Sequence, residues 1–148
     1  MIDESDPRPT IFPKLYYNDA SAALEWLARV YGFIVRLIVP GGEGMIIHAE
    51  LSFGGGVIML GSARPEAGLR SPQDLPGLHQ VISVYVADPD AHYANSVAAG
   101  AAIVQPLYDA VQGRGYETKD LEGHVWSFGN YRPGVAWSTT LQQTKSVE

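Results

Sequence analysis

The chain contains no cysteine, which removes disulfides, thiolate nucleophiles and cysteine-ligated zinc at once. Positive charge is also scarce. Ten Lys and Arg stand against sixteen Asp and Glu, a formal net charge of -6. Those ten are scattered along the sequence, whereas a nucleic-acid partner needs them clustered, so no nucleic acid is expected. No run approaches the ~18 apolar residues of a membrane span, so no membrane partner is expected either. The opening residues, Met1 to Asp6, have neither the basic region nor the apolar core of a secretory signal, and the cytoplasm is the expected location. What is present is 148 residues, 46% apolar and 18% charged. This is the composition of one soluble globular domain, able to bury roughly two thirds of the surface its unfolded chain exposes.

The chain also repeats itself. Val57-Ile58-Met59-Leu60-Gly61 returns 68 residues later as Val125-Trp126-Ser127-Phe128-Gly129. Upstream, Tyr17-Asn18-Asp19 opens an apolar helical stretch ending at Tyr31-Gly32-Phe33, as Val86-Ala87-Asp88 opens one ending at Ala99-Gly100-Ala101. A period this long suits a duplicated supersecondary module rather than a solenoid. In the first copy, Phe12 to Tyr17 reads as a strand. Asn18 or Asp19 caps a helix over Ala20 to Tyr31, where Ala23, Leu24, Leu27, Val30 and Tyr31 share a face, and Gly32 stops it. Strands follow at Phe33 to Val39, Met45 to Phe53 and Val57 to Leu60, joined by glycine-rich hairpins. In the second copy the strands are Val81 to Val86, Ala102 to Pro106, Tyr116 to Asp120 and Val125 to Phe128, with a helix near Pro89 to Ala99. The expected fold is therefore α+β: two paired βαβββ modules whose curved mixed sheets surround a cleft. The expected division is a mobile arm at 1–10 and a single domain at 11–132, made of module 11–61, linker 62–78 and module 79–132. A tail follows at 133–148.

Alternation assigns faces, because side chains two apart on a strand point the same way. Ile47, Ala49, Leu51 and Phe53 are apolar and expected against the helix, which leaves His48, Glu50 and Ser52 on the other side. Ile82, Val84 and Val86 face the second helix, and Val81, Ser83 and Tyr85 face away. Trp126 and Phe128 are expected in the core, with Ser127 opposite.

The paired βαβββ modules, the Tyr17-Asn18-Asp19 turn, and the run Lys119-Asp120-Leu121-Glu122-Gly123-His124-Val125-Trp126-Ser127-Phe128 resemble the vicinal oxygen chelate superfamily. That superfamily includes glyoxalase I, extradiol dioxygenases, fosfomycin-inactivating enzymes and bleomycin-resistance proteins. The likeness covers about residues 11 to 132. Asp120-Leu121-Glu122-Gly123 looks like the family's Asp-Pro-Asp-Gly turn, with Leu121 in place of Pro and Glu122 in place of Asp. In metal-dependent members the resemblance implies ligands on the first and last strand of each module, here Phe12, Met59, Val81 and Ser127. None suits a hard divalent cation, which takes imidazole and carboxylate. A register slip of two residues brings in only one good ligand, His79. The site is therefore expected to hold no metal and no cofactor. The resemblance also implies a homodimer.

His48 and Glu50 form the most suggestive polar pair. They are candidates to orient a ligand or to act as base and acid, or simply a pair at a solvated rim. A displaced metal site drawing on His48, Glu50, His79 and His124 is a further alternative. Tyr16, Tyr85 and Tyr116 are candidates to stack on a flat ligand, and Lys14 to meet an anionic one. With Phe12, Met59, Val81, Ser83 and Ser127 they make up the expected ligand-binding set. Arg114 lies on a hairpin beside the expected cleft mouth. The primary expectation is a metal-independent protein that binds a small organic molecule without turnover, in the manner of bleomycin-resistance proteins. The alternatives are a glyoxalase-type lyase or isomerase using His48 and Glu50, and a sensor module with a vestigial cleft.

Overall fold

The computed structural model of the chain describes residues 5–135. Part of the arm expected at 1–10 and most of the tail expected at 133–148 lie outside the described residues. The first module runs β1 (Lys14–Tyr17), α1 (Ala20–Trp26, continuing as a π-helical turn over Leu27–Tyr31), β2 (Ile34–Pro40), β3 (Ile46–Phe53) and β4 (Gly56–Ser62). The second runs β5 (Ile82–Tyr85), α2 (Pro89–Ala98), β6 (Ala102–Ala110), β7 (Gly113–Lys119) and β8 (Val125–Gly129). The sheets have the orders β1-β4-β3-β2 and β5-β8-β7-β6. In each, the first strand lies parallel to the last and the other pairings are antiparallel. Parallel neighbours cannot be joined by a tight hairpin, and here the helix with its two-strand meander makes the crossover. The two sheets thus realise the expected α+β pair of βαβββ modules.

Both helices begin at an aspartate whose carboxylate accepts an early backbone N–H: Asp19 from Ala22 and Asp88 from Ala91, satisfying donors a helix start leaves orphaned. The first helix widens in its last turn, where Phe33 N–H reaches back to the Leu27 carbonyl at 3.3 Å. Gly32 closes it at φ 90°, a conformation glycine adopts without steric cost.

The helix-facing sides of both sheets share one core. Leu15, Tyr17, Leu51 and Leu60 from the first sheet and Tyr116, Trp126 and Phe128 from the second are all buried there. The rings of Tyr31 and Phe128 lie 4.8 Å apart, and those of Phe33 and Trp126 5.3 Å apart. Aromatic pairs of this kind contribute about 0.5–1.5 kcal/mol each beyond their buried area. The opposite faces of the two sheets consequently point outward.

Polar bonds reinforce this union. One Asp120 oxygen accepts the backbone N–H groups of Glu122, Gly123 and His124 at 3.0–3.1 Å. The other accepts the Tyr17 hydroxyl at 2.5 Å and Trp126 Nε1–H at 3.0 Å. Glu122 accepts the backbone N–H groups of Asn18 and Asp19 and the Ser71 hydroxyl. The acidic turn before β8 thereby clamps the β1–α1 turn and the connecting segment.

Two expectations need correction. Ile47 is 61% exposed rather than packed on the helix. The β2–β3 register steps from Val39↔His48 to Pro40↔Ile46 and leaves Ile47 unopposed, a bulge that turns its side chain outward. The second and third strands of the second module are also longer than their expected Ala102–Pro106 and Tyr116–Asp120, because the hairpin they form runs out to a turn at 111–112.

His92 sits half-buried between the modules. Its Nε2 lies 2.8 Å from the Tyr31 carbonyl, its Nδ1 2.7 Å from the Tyr116 hydroxyl, and its ring stacks on Phe128 at 4.2 Å. Desolvation lowers its pKa below the ordinary 6.5, partly opposed by the hydrogen bond to Tyr31. The unfolded chain therefore takes up this proton at higher pH than the folded one. The stabilisation is full above about pH 6.5 and is lost as pH falls from there toward the folded-state value. We expect His92→Gln to flatten the Tm profile between pH 7.5 and 5.5. A profile as steep as wild type would acquit this residue.

Candidate functional site

On the outward face of the first sheet, register places Lys14, Met59, Glu50 and Leu37 in one row across β1, β4, β3 and β2. His48 Nε2 lies 2.7 Å from Glu50 Oε2, and both side chains are partly exposed. The bulge at Ile47 sits immediately before this pair, so His48 and Glu50 project together where the strand bends. Val57 and Met59 alternate with the buried Ile58 and Leu60, which explains why this wall is apolar around a single carboxylate.

A cavity of about 650 Å³ opens over this wall. Its floor is Phe12, Glu50, Val57 and Met59, and its far side is Asp6, Arg8, Pro9 and Thr10 of the arm. Arg8 grips the Asp6 carboxylate with two nitrogens and holds its pKa below the usual carboxylate value. The arm segment with Pro7, Pro9 and Pro13 is biased to extended backbone, so it crosses the sheet as a strap. The cavity offers an apolar body an apolar floor and, with Asp6 taken by Arg8, gives a hydrogen-bond donor the Glu50 carboxylate to meet, oriented by an imidazole.

The expected ligand-binding residues divide between places. Phe12 and Met59 line this cavity with Glu50. Lys14 and Tyr16 share the sheet face but line a different cavity, under the connecting segment. Ser83 and Tyr85 line a groove of about 440 Å³ between β5, the arm and the β3–β4 turn. There the Arg132 guanidinium lies 3.8 Å from the centroid of the Tyr85 ring. Val81 is half-exposed just before β5, and Ser127 pairs with Ser83 and Glu117 across the second sheet's outward face.

Tyr116 departs from expectation. It is fully buried, facing α2, with its hydroxyl 2.8 Å from Ser96 Oγ; burial pushes its pKa up to about 12. It belongs to the core and not to the cleft lining. Arg114 is likewise engaged, bound through two nitrogens to Asp90 and through a third to Asp109.

The donor set does not fit a divalent metal. Phe12, Met59, Val81 and Ser127 supply no imidazole or carboxylate, and the strand neighbours of Met59 and Ser127 in β1 and β5 are Lys14 and Ser83. His79 and His124 line a different cavity from Glu50. Among the described residues no group of three or more His, Cys, Asp or Glu is placed to hold an ion.

Sequence reasoning did not find the arm as a wall of the site. The proline spacing at 7, 9 and 13 was the available signal. His92 carried none, since a histidine one turn into a helix reads as solvent-facing.

Comparison with known proteins agrees with this fold. The solved structure of TioX from Micromonospora sp. ML1 is 38% identical and superposes with a TM-score of 0.67, covering 84% of this chain and 99% of that one. An uncharacterized protein of Mycobacterium bovis is 34% identical over 125 residues, 82% of each chain. A glyoxalase/bleomycin resistance protein/dioxygenase family enzyme from Burkholderia phytofirmans shares the fold at 19% identity and a TM-score of 0.64, over 82% of this chain and 97% of that one. Residues 11–128 match the description glyoxalase/bleomycin resistance protein/dioxygenase superfamily, and with two βαβββ sheets in the matching order the chain belongs to that superfamily.

Proposed function

We propose that this chain binds a small organic molecule in the cavity between the arm and the first sheet, without a metal and without turnover. The observation that carries this reading is the cavity itself. About 650 Å³ of space has a floor of Phe12, Val57 and Met59 around one carboxylate, Glu50. Such a floor suits an aromatic or aliphatic body bearing one hydrogen-bond donor. The chain acts as a homodimer. Ile11, Phe12, Val81, Tyr85, Val104 and Tyr108 leave apolar surface uncovered, which a second copy of the chain would cover. Sedimentation equilibrium returning a monomer at micromolar concentration would remove that part.

A second reading rests on the 2.7 Å contact of His48 with Glu50. An imidazole coupled to a carboxylate beside a cavity is the equipment for moving a proton, as a lyase or isomerase of the glyoxalase type requires. His48→Ala separates the two. Under the binding reading it weakens affinity for a hit from a screen of aromatic amines and amides by a few-fold, about 0.5–1.5 kcal/mol, and no ligand is ever converted. Turnover by the wild type, cut about 10²-fold or more in the variant, would replace the first reading with the second.

A further inference from the structure

The cavity under the connecting segment has a different chemistry. It holds about 260 Å³ between β1, residues 68–80 and the turn before β8. Its ionisable lining is Lys14, Arg70, His79 and His124 beside Tyr16, and neither Asp nor Glu takes part. In a chain of net charge -6 this grouping is not what composition supplies.

What sets this cavity apart is that two cations free of any carboxylate line one space. Arg8, Arg29, Arg64 and Arg114 each sit on a carboxylate. Among the described residues Lys14 and Arg70, like Arg36, Lys119 and Arg132, have none, and the Lys14 ammonium lies 3.4 Å from the Ile47 carbonyl and 5.7 Å from the Tyr16 ring centroid. His124 is anchored through Nε2 to the Tyr16 carbonyl at 3.0 Å, and its Nδ1 has no hydrogen-bond partner among the described residues. Lys14 and Arg70 thus bring two positive charges to one space whose lining supplies no counter-charge. Apart from Gln80 the remaining wall is apolar, with Leu69, Leu75 and Leu78. Leu75 and Leu78 are more than one-third exposed, leaving apolar surface for a ligand to cover.

We propose that this cavity is a binding site for an organic carboxylate. The carboxylate meets Arg70, whose planar fork matches it with two parallel hydrogen bonds, and Lys14 adds a point charge. The apolar body lies on Leu69, Leu75 and Leu78. A fully hydrated inorganic anion gains nothing from those leucines, so the lining selects against phosphate. The site is separate from the cavity over Glu50, and neither Glu50 nor Met59 lines it. Failure of one assignment therefore leaves the other standing.

The test is calorimetric titration of the full chain with benzoate, with benzamide as its uncharged counterpart and inorganic phosphate as the apolar-free anion. Benzoate is expected to bind one site per chain, at least tenfold more tightly than either comparator. Arg70→Gln should weaken it about tenfold or more, the scale of one charge-assisted contact. Lys119→Gln, the same charge change on β7, should leave it unaltered. Arg70 is exposed, and an unchanged Tm confirms that its variant remains folded. Absence of benzoate binding, benzamide binding as tightly, phosphate binding as tightly, or indifference to Arg70→Gln would each overturn the proposal.

Discussion

Asp120→Ala is expected to cost about 3–5 kcal/mol of folding stability, the range seen when a buried, fully bonded charge network is broken. The carboxylate is the acceptor for five donors: three backbone N–H groups, the Tyr17 hydroxyl and the Trp126 indole N–H. Alanine leaves these donors in a nearly dry pocket, and each unsatisfied one costs about 1–3 kcal/mol less what relaxation recovers. For a domain of this size the loss corresponds to a fall in Tm of roughly 10 °C. Asp120→Asn should fall between. Its oxygen can still serve the turn, but its amide would then oppose the Tyr17 and Trp126 donors. Urea unfolding, followed by tryptophan fluorescence, should rank wild type above Asn above Ala. An alanine variant within about 1 kcal/mol of wild type would show that the turn holds without this carboxylate.

Met59→Trp is expected to abolish binding in the cavity over the first sheet while leaving the fold intact. Met59 stands between Lys14 and Glu50 in the register, and it alternates with the core residues Ile58 and Leu60 without being one of them. An indole there projects into the space the ligand needs instead of into the packed side of the sheet. A loss on the order of 100-fold in affinity is expected, about 2.7 kcal/mol, with Tm nearly unmoved. A molecule that binds the variant as well as wild type does not bind in that cavity.

Where the strands obey simple alternation, the fold was legible from the sequence. Ile82, Val84 and Val86, and again Trp126 and Phe128, pack toward the helices as their spacing requires, and both capping aspartates hold the helix starts. Legibility failed where a polar residue is buried by bonding. In β7 the core side is Tyr116 and Thr118, followed inward by Asp120, so polarity hid the face. The Thr118 hydroxyl lies 3.0 Å from that of Tyr31 and 2.8 Å from the Ala102 carbonyl. With such partners a polar side chain is buried at little cost, and a reading that ranks residues by hydropathy places Tyr116 in the cleft. It failed also at Ile47, since an extra residue in a strand flips every side chain beyond it. The candidate site was legible in part. His48 and Glu50 were paired by strand period, as they stand. The division of the expected single cleft into separate cavities was not, because it depends on where the arm and the connecting segment lie. Those stretches have no period to read.

The clamp around Asp120 has a consequence for the order in which the molecule is made. Tyr17 and Asp120 are separated by 103 positions in the chain, and the rings that close the core, Trp126 and Phe128, lie on the last strand. The first module emerges from the ribosome with Tyr31 and Phe33, the rings that meet Trp126 and Phe128, uncovered, and they stay so until the second has been synthesised. At about 5–20 residues per second this interval lasts several seconds. During it the nascent half presents exposed apolar rings, the condition that chaperones recognise. The chain has two halves of one plan, yet the interlocked core makes the nascent first half a client waiting for its twin.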